Sequence, residues 1–591
     1  MKKFTADFET STWQENESFV WAWAVCEIGC EKFHLGNSID SFIEFCKNSN
    51  NSDFYFHNLK FDGSFILCYL LSHGFEYVKT SKERKTKSFT ALITDMGIFY
   101  QITIYFEVKN KKVKKATFYD SLKIIPMSVK QIAKSFNLPI DKLEIDYFKP
   151  REEGHLLTIE EMQYIKHDVL IVAKALKVLF DEKLTHMTQG SNALNDYKEI
   201  LSKRRFEHFF PQLEPDIDED IRRAYKGGFT FLNPEYKETD VKDGVVLDVN
   251  SLYPSQMMVR ELPFGEPVYF SGRYKPDKTY TLYIQMLTCS FEIKKNHIPT
   301  IQIKHSPFYE GTEYLESSQN MEGGIVNLVL TSVDLELFFE QYDVKVYSYD
   351  GGYMFKSTQG LFTEYISKWI ERKNQATIEG NKGQRTLAKL MLNSLYGKFA
   401  TSLQAQQKKP VLIDGVLHFQ DMEEESKKGL YIPVACFITA YARSVTIRTS
   451  QKIVDYSLSK YGVNKYIYSD TDSIHCLLPK EELEQFCDID DVKLGAWKCE
   501  GRFLFGKFVR QKTYIEKIII KMNKEKSLNK HLKVKSFSSI KGKFYATEVK
   551  ITCAGMPQSC YKNVTWTKFK SGFSCGGKLV FKNVKRWCKA S

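Results

Sequence analysis

Two of the places where carboxylates stand two residues apart in this chain lie in strand-like sequence, and each such pair is costly unless a positive charge joins it. Tyr468-Ser469-Asp470-Thr471-Asp472-Ser473 follows the strand-like Lys465-Tyr466-Ile467. Residues i and i+2 of a strand share a face, so Asp470 and Asp472 are expected to project together, with Thr471 turned away. At about 4 Å two like charges repel by roughly 4 kcal/mol at an effective dielectric of 20, and a divalent cation turns that repulsion into attraction. Hard oxygen ligands suit Mg²⁺, and two such ions can clamp the attacking and leaving oxygens of a phosphoryl transfer. Val245-Val246-Leu247-Asp248-Val249 reads as a buried strand that delivers a third acid, Asp248. A helix start follows at Ser251-Leu252-Tyr253-Pro254, and its free amides suit a triphosphate.

The second pair is Asp7 and Glu9, on one face of an expected first strand in Phe4-Thr5-Ala6-Asp7-Phe8-Glu9-Thr10. Asp62 falls where the run Tyr55–Gly63 breaks into an apolar helix expected over Ser64–Leu71. Thr158-Ile159-Glu160-Glu161 is a capping box that opens a helix carrying Tyr164 and Asp168, four residues apart and therefore on one face. Four acids can hold two cations, and a tyrosine hydroxyl can orient a water for attack on phosphate.

Elements between the two sets must place them. A helix is expected over Asp196–His208, then Ala224-Tyr225-Lys226-Gly227-Gly228-Phe229. Its glycines allow close approach to a phosphate chain, while Tyr225 and Lys226 offer stacking and charge. A helix expected over Gln384–Ala400 carries Lys389, Asn393 and Tyr396 at i, i+4 and i+7, a single polar stripe. Pro410 to Leu417 reads as strand and turn, and the Lys/Ser-rich Lys521–Lys543 as a linker or DNA-facing loop.

At 591 residues the chain exceeds a single core and should divide into several domains. Hydrophobic residues at 43% and aromatics at 14% exclude a disordered chain. The net charge of +12, with acids and bases interspersed, suggests basic channels for a polyanion such as nucleic acid rather than one basic tail. Thirteen cysteines, without a dense framework, read as reduced thiols of a cytoplasmic protein. Cys553, Cys560, Cys575 and Cys588 form no C-x-x-C pair that would mark zinc. No apolar segment suggests secretion, transit or a membrane span.

Asp-x-Glu (Asp7, Glu9), Asn-x-x-x-Asp (Asn58, Asp62) and Tyr-x-x-x-Asp (Tyr164, Asp168) together resemble the three motifs of the DnaQ-like 3′–5′ proofreading exonucleases. The resemblance implies metal ligation by Asp7, Glu9, Asp62 and Asp168, water positioning by Tyr164, capture of a single-stranded 3′ end by Asn58, and a helping role for Lys142. Asp-x-x-Ser-Leu-Tyr-Pro at 248–254, Lys-x-x-x-Asn-Ser-x-Tyr-Gly at 389–397 and Tyr-x-Asp-Thr-Asp-Ser at 468–473 resemble motifs A, B and C of the family B DNA polymerases. On that resemblance Asp248 and Asp470 or Asp472 hold two Mg²⁺ (or Mn²⁺) ions, with the Val249 carbonyl as a further ligand. Lys389 and Lys373 bind the dNTP triphosphate, Tyr253 rejects a 2′-hydroxyl, and Tyr396 stacks near the incoming base. Lys512-Thr513-Tyr514 resembles the Lys-x-Tyr element that contacts the primer end, and Tyr225, Lys226, Gly227, Gly228 and Asn393 are its companions on DNA.

The closer similarity is to the protein-primed subgroup, found in phi-29-like bacteriophages and linear plasmids, and it runs over most of the chain. It implies an α/β, more narrowly α+β, multidomain architecture: a right-hand polymerase of palm, fingers and thumb behind an RNase H-like exonuclease domain. The expected division is exonuclease 1–188, palm 189–261, first terminal protein region 262–357, fingers 358–400, second terminal protein region 401–430, palm 431–540, and thumb with tail 541–591. The first insertion, with Lys304-His305-Ser306-Pro307-Phe308-Tyr309, would contact a priming terminal protein in a heterodimer. The second would encircle DNA together with the thumb, giving processivity and strand displacement. Implied partners are primer-template DNA, single-stranded DNA and the terminal protein, in a host bacterial cytoplasm, with an otherwise monomeric enzyme. A nucleic-acid-primed family B polymerase is the alternative, and a noncatalytic DNA-binding protein the remote one.

Overall fold

The computed structural model describes residues 2–11, 18–49, 51–109, 112–147, 149–302, 314–519, 536–540, 543–554, 556, 561 and 564–572. Lys304–Tyr309, most of Lys521–Lys543, and Cys560, Cys575 and Cys588 lie outside the described residues. Contacts divide the chain into two units, Met1–Ser202 with Ser367–Gly429, and Lys203–Ile366 with Leu430–Lys578.

In the first unit, eight strands form one mixed sheet: β1 (Lys3–Thr10), β2 (Val20–Glu27), β3 (Phe33–Gly36), β4 (Ser52–Phe56), β5 (Glu76–Tyr77), β6 (Ser88–Ile93), β7 (Phe99–Lys109) and β8 (Lys112–Asp120). Their order is β3-β2-β1-β4-β8-β7-β6-β5, with β1 antiparallel to β2 and parallel to β4. Alternation along β1 sends Phe4, Ala6 and Phe8 into a core with Phe42, Phe54, Phe56 and Phe118. Helices α1 (Ile39–Asn48), α2 (Leu59–Ser72), α3 (Val129–Ser135) and α4 (Ile159–Asp181) accompany the sheet. The other face of β1 meets α4, where the Thr5 hydroxyl donates to the Val169 carbonyl at 2.8 Å. Asp7 and Glu9 therefore face the helix that carries Asp168.

Several boundaries differ from expectation. Helix α2 begins at Leu59, five residues before Ser64, because Asn58 takes a left-handed backbone (φ 85) and its N–H is caught by the Asp120 carboxylate at 3.0 Å. Asp62 thus lies inside the first turn. The helix expected over Asp196–His208 is two, Gln189–Leu201 and Lys203–Phe209, broken at Ser202 where φ is 66. That expected over Gln384–Ala400 runs Lys382–Ser394, with a separate short turn at Tyr396–Phe399. In the segment expected as the second insertion, Lys408–Ile413 and Val416–Asp421 pair across Asp414-Gly415, both with positive φ as a two-residue hairpin turn requires. Leu417 and Phe419 of this hairpin pack onto the core of the same unit.

The second unit has its own eight-stranded sheet: β9 (Thr230–Leu232), β10 (Asp240–Val249), β11 (Tyr466–Asp470), β12 (Ser473–Cys476), β13 (Trp497–Arg510), β14 (Thr513–Ile519), β15 (Ser536–Ile540) and β16 (Lys543–Cys553). The order is β15-β16-β14-β13-β10-β12-β11-β9. Helix Ile432–Tyr461, buried along most of its length, supports it. Over 262–358, strands Leu262–Phe270, Tyr342–Thr358, Leu282–Ile293 and Val326–Thr331 form a separate four-stranded sheet in that spatial order. No helix among the described residues is long and apolar enough to cross a membrane, and the described cysteines are free thiols.

One site expectation is corrected here. Asp470 ends β11 and β12 starts at Ser473, so Asp470 and Asp472 do not share one strand face. Thr471 has φ 60, and Thr471-Asp472 are the two turn residues of a hairpin. Period-two reasoning fails because the chain reverses between the two acids.

Candidate active sites

The first carboxylate set is tight. One oxygen from each of Asp7, Glu9 and Asp168 lies within 4.8 Å of the others, the one such acidic group among the described residues. Glu9 and Asp168 are buried and Asp7 is half-buried. Burial raises the Asp7 carboxyl to about 7, Asp168 adding its charge and Lys142 opposing it. Burial, then Asp7 and Asp168, pushes Glu9 well above its ordinary value, and burial, then Asp7, does the same to Asp62. Asp62 stands outside the tight group, its carboxylate accepting the Phe8 N–H at 3.3 Å. Lys142 pairs with one oxygen of Asp168, and the other is buried without a partner. Three crowded carboxylates with an orphan buried oxygen fit a hard divalent cation.

Tyr164 stands one helix turn before Asp168, its hydroxyl 2.7 Å from the Tyr147 hydroxyl. The capping box is formed as expected by Thr158 and Glu161, and Glu161 also accepts from Arg151 (2.7 Å) and pairs with His155 (2.8 Å). Beside Asn58, the ring of His57 is fixed by the Ser121 hydroxyl (3.0 Å) and the Met127 carbonyl (2.6 Å). Tyr147, Arg151, His57 and Ser121 were missed by sequence reasoning. Only Arg151 left a signal, as the base ten residues before a capping-box acid.

The second set is looser. In strand register Ser473 pairs with Asp248 on one side and with Asp470 on the other, so these two acids flank β12 at the same level. The Val249 N–H donates to the Asp472 carbonyl at 2.8 Å, which ties the hairpin turn to the end of β10. Lys512 Nζ donates to both oxygens of Asp470, at 2.6 and 2.8 Å. Thr230, Tyr468 and Thr471 hydroxyls donate to the same carboxylate at 3.2 to 3.3 Å. Asp470 is therefore neutralised and well satisfied, which relieves the repulsion within the set without drawing it together.

The Tyr225–Gly228 loop meets this turn. A Cβ on Gly228 would stand 2.7 Å from Thr471 Oγ1 and 2.9 Å from the Tyr253 hydroxyl, so only glycine admits that contact. Arg443, 5% exposed, donates to the Lys226 and Gly227 carbonyls at 2.6 and 2.8 Å and is bidentate to Asp334. Thr446, one turn on, donates to the Thr471 carbonyl at 2.7 Å. Arg443 and Thr446 were also missed. The signal was a lone charge in the apolar run Ile432–Val445.

Lys373, Lys389, Asn393 and Tyr396 belong to the first unit. Burial, then the charges of Arg385 and Lys389, lowers the Lys373 amine, so these three bases form one electropositive patch. Lys389 and Asn393 are exposed and Tyr396 is half-buried.

The family described as DNA polymerase type B, organellar and viral, matches residues 43–158 and 146–488. The chain is 44% identical over 582 residues to the DNA polymerase of Bacillus phage M2, covering 98% of this chain and 96% of that one. It is 43% identical over 576 residues to that of Bacillus phage phi29, covering 97% and 95%. The structure of phi29 DNA polymerase complexed with primer-template DNA and incoming nucleotide substrates superposes with a TM-score of 0.85 at 41% identity, over 97% of this chain and 95% of that one. The chain belongs to the family B DNA polymerases, in their protein-primed, phi29-like group, and has their multidomain α/β fold. It is a DNA-directed DNA polymerase, using dNTPs and dependent on a divalent cation.

Proposed function

We propose that this polymerase replicates a linear double-stranded genome in a bacterial host cytoplasm, starting on a terminal protein and correcting its own errors by 3′–5′ exonuclease. The observation that carries the proposal is that two carboxylate sets lie in separate units, each with its own lysine: Lys142 on Asp168 and Lys512 on Asp470. The seven-segment division given above is the domain assignment that goes with it.

Asp7, Glu9, Asp62 and Asp168 would hold Mg²⁺ for hydrolysis, and Asp248, the Val249 carbonyl and Asp470 or Asp472 would hold it for synthesis. Bound there, the ions would activate the attacking water or primer hydroxyl and neutralise charge on the leaving oxygens. The chain's own groups orient the reactants. Tyr164 directs water from beside Asp168, Asn58 grips the single-stranded 3′ end, and Lys142 balances the excess charge. In synthesis Tyr253 lies under the sugar, Lys373 and Lys389 take the triphosphate, and Tyr396 stacks at the base. Tyr225, Lys226, Gly227, Gly228 and Asn393 contact the template-primer, and Lys512 and Tyr514 its primer end. The hairpin Lys408–Asp421 would help retain template, supporting processivity and strand displacement.

Two substitutions test the division. Asp470→Ala should abolish extension of a primed template and leave exonuclease intact, and Asp7→Ala should do the reverse. Extension surviving in Asp470→Ala would overturn the site assignment. Incubation with a terminal protein and labelled dNTP should give a covalent protein–nucleotide adduct. Its absence under conditions that support primer extension would favour nucleic-acid priming.

A further inference from the structure

Strands β12 and β14 are not neighbours. Two strands, β10 and β13, lie between them, and in a flat sheet that separates them by about 14 Å. Yet His475 of β12 donates from Nδ1 to Glu516 Oε1 of β14 at 2.9 Å. The sheet is therefore coiled so strongly that its two sides touch across the concave face. His475 is 2% exposed and Glu516 1% exposed, and the second oxygen of Glu516 is buried with no partner. The rings of Tyr468, Phe503, Phe508 and Tyr514 all pack around the imidazole, with centroids 5.2 to 6.3 Å away. A hydrogen-bonded polar pair in an aromatic core is a poor choice for stability alone, because apolar residues of the same shape serve as well or better.

The pair lies close along the chain to the second carboxylate set and its lysine. His475 lies three residues past Asp472, and Glu516 lies four past Lys512. Towards the site the turn before β14 meets β11, the hairpin partner of β12, where the Lys512 N–H donates to the Tyr468 hydroxyl at 2.9 Å, and then where the Lys512 ammonium grips Asp470. We infer that the His475–Glu516 pair is a positioning element for polymerisation: it pins β14 to β12 so that Lys512 lands on Asp470 beside the turn that carries Asp472. The inference rests on the assignment of Asp470 and Lys512 to the synthesis site. A directional hydrogen bond fixes the sliding of one strand over the other, which ring packing alone leaves free. An error of about 1 Å in such an alignment costs up to ~100-fold in rate.

The test is a double-mutant cycle on the full chain. Glu516→Leu should lower kcat for nucleotide incorporation about tenfold with dNTP KM within about twofold, since alignment rather than substrate binding is lost. Glu516→Gln keeps an acceptor for the imidazole N–H and should stay within about twofold of the parent. His475→Phe with Glu516→Leu replaces the pair by apolar shapes that the ring cluster can hold. It should melt like the parent and still show the tenfold loss. In a Lys512→Ala background, Glu516→Leu should cause no further loss, because the pair acts through that lysine. An equal loss in both backgrounds, or parental extension by the double apolar variant, would overturn the inference. Parental extension by Lys512→Ala alone would instead refute the site assignment beneath it. Exonuclease on single-stranded DNA should be unchanged throughout and reports that the chain is folded.

Discussion

Gly228→Ala is the sharpest perturbation the geometry offers, because its neighbour supplies the comparison. Neither Gly227 nor Gly228 uses a left-handed backbone, so alanine brings no conformational penalty at either position and only space distinguishes them. The new methyl at 228 would stand 2.7 Å from Thr471 Oγ1 and 2.9 Å from the Tyr253 hydroxyl. Ordinary contact begins at 3.4 Å, so Thr471 must retreat by about 0.7 Å and Tyr253 by about 0.5 Å. Thr471 has little freedom to do so. Its N–H donates to the Phe229 carbonyl at 2.7 Å, and its own carbonyl accepts from Thr446 at 2.7 Å. Overpacking of this kind costs about 1 to 3 kcal/mol, which is roughly 5- to 150-fold in rate if it falls on the transition state. A methyl at 227 meets nothing within 4 Å, and its loss should be no more than about twofold. Single-turnover extension of a primed template measures both variants, with hydrolysis of single-stranded DNA as the internal control. Equal losses at 227 and 228, or parental extension by Gly228→Ala, would refute the steric reasoning.

Other perturbations follow from the charges. Burial raises the Glu161 carboxyl, but the Thr158 N–H, Arg151 and His155 outweigh it and hold the group down to about 2. Its contribution to stability is thus complete above the ordinary value of 4.5 and is lost as pH falls towards 2. The gap in urea stability between parent and Glu161→Gln should shrink over that interval, and a constant gap would count against the pairing. Asp7, raised by burial to about 7, must shed its proton to bind a cation. Without cation its charging should cost stability as pH rises from 3.8 through 7, so Mg²⁺ should raise Tm more at pH 8 than at pH 6. Asp7→Asn should abolish that difference, and an equal gain at both pH values would exclude this site as its source. Lys373→Ala removes one of three crowded bases and should raise dNTP KM about tenfold with little change in primer affinity, measured by steady-state incorporation. A change in primer affinity alone would move the patch from nucleotide to DNA.

The carboxylates were legible because their types and spacing are local. Asp7 and Glu9 alternate on one strand, and Tyr164 and Asp168 share a helix turn behind a capping box formed from four consecutive residues. Strand and helix periods carry such pairs to one face wherever the element goes. Local reasoning failed where the backbone turned within the motif. Nothing in Asp470-Thr471-Asp472 signals that Thr471 adopts φ 60 and divides the two acids between a strand end and a turn. Helix ends were misplaced for the same reason, at Asn58 and Ser202, where positive φ at a non-glycine residue is imposed by surroundings.

What the amino-acid sequence determined by itself was the inventory: two sets of acidic residues, the lysines and tyrosines that accompany them, and the family to which the chain belongs. What only the tertiary structure decided was how each set is held. Asp7, Glu9 and Asp168 converge because β1 lies against α4, at the contact marked by Thr5 and Val169, 164 residues apart. Asp470 receives Lys512, and His475 receives Glu516, because a coiled sheet brings β14 and the turn before it over the hairpin of β11 and β12. Burial and long-range register set those charges against each other, and neither is a property of any stretch of chain short enough to read as a motif.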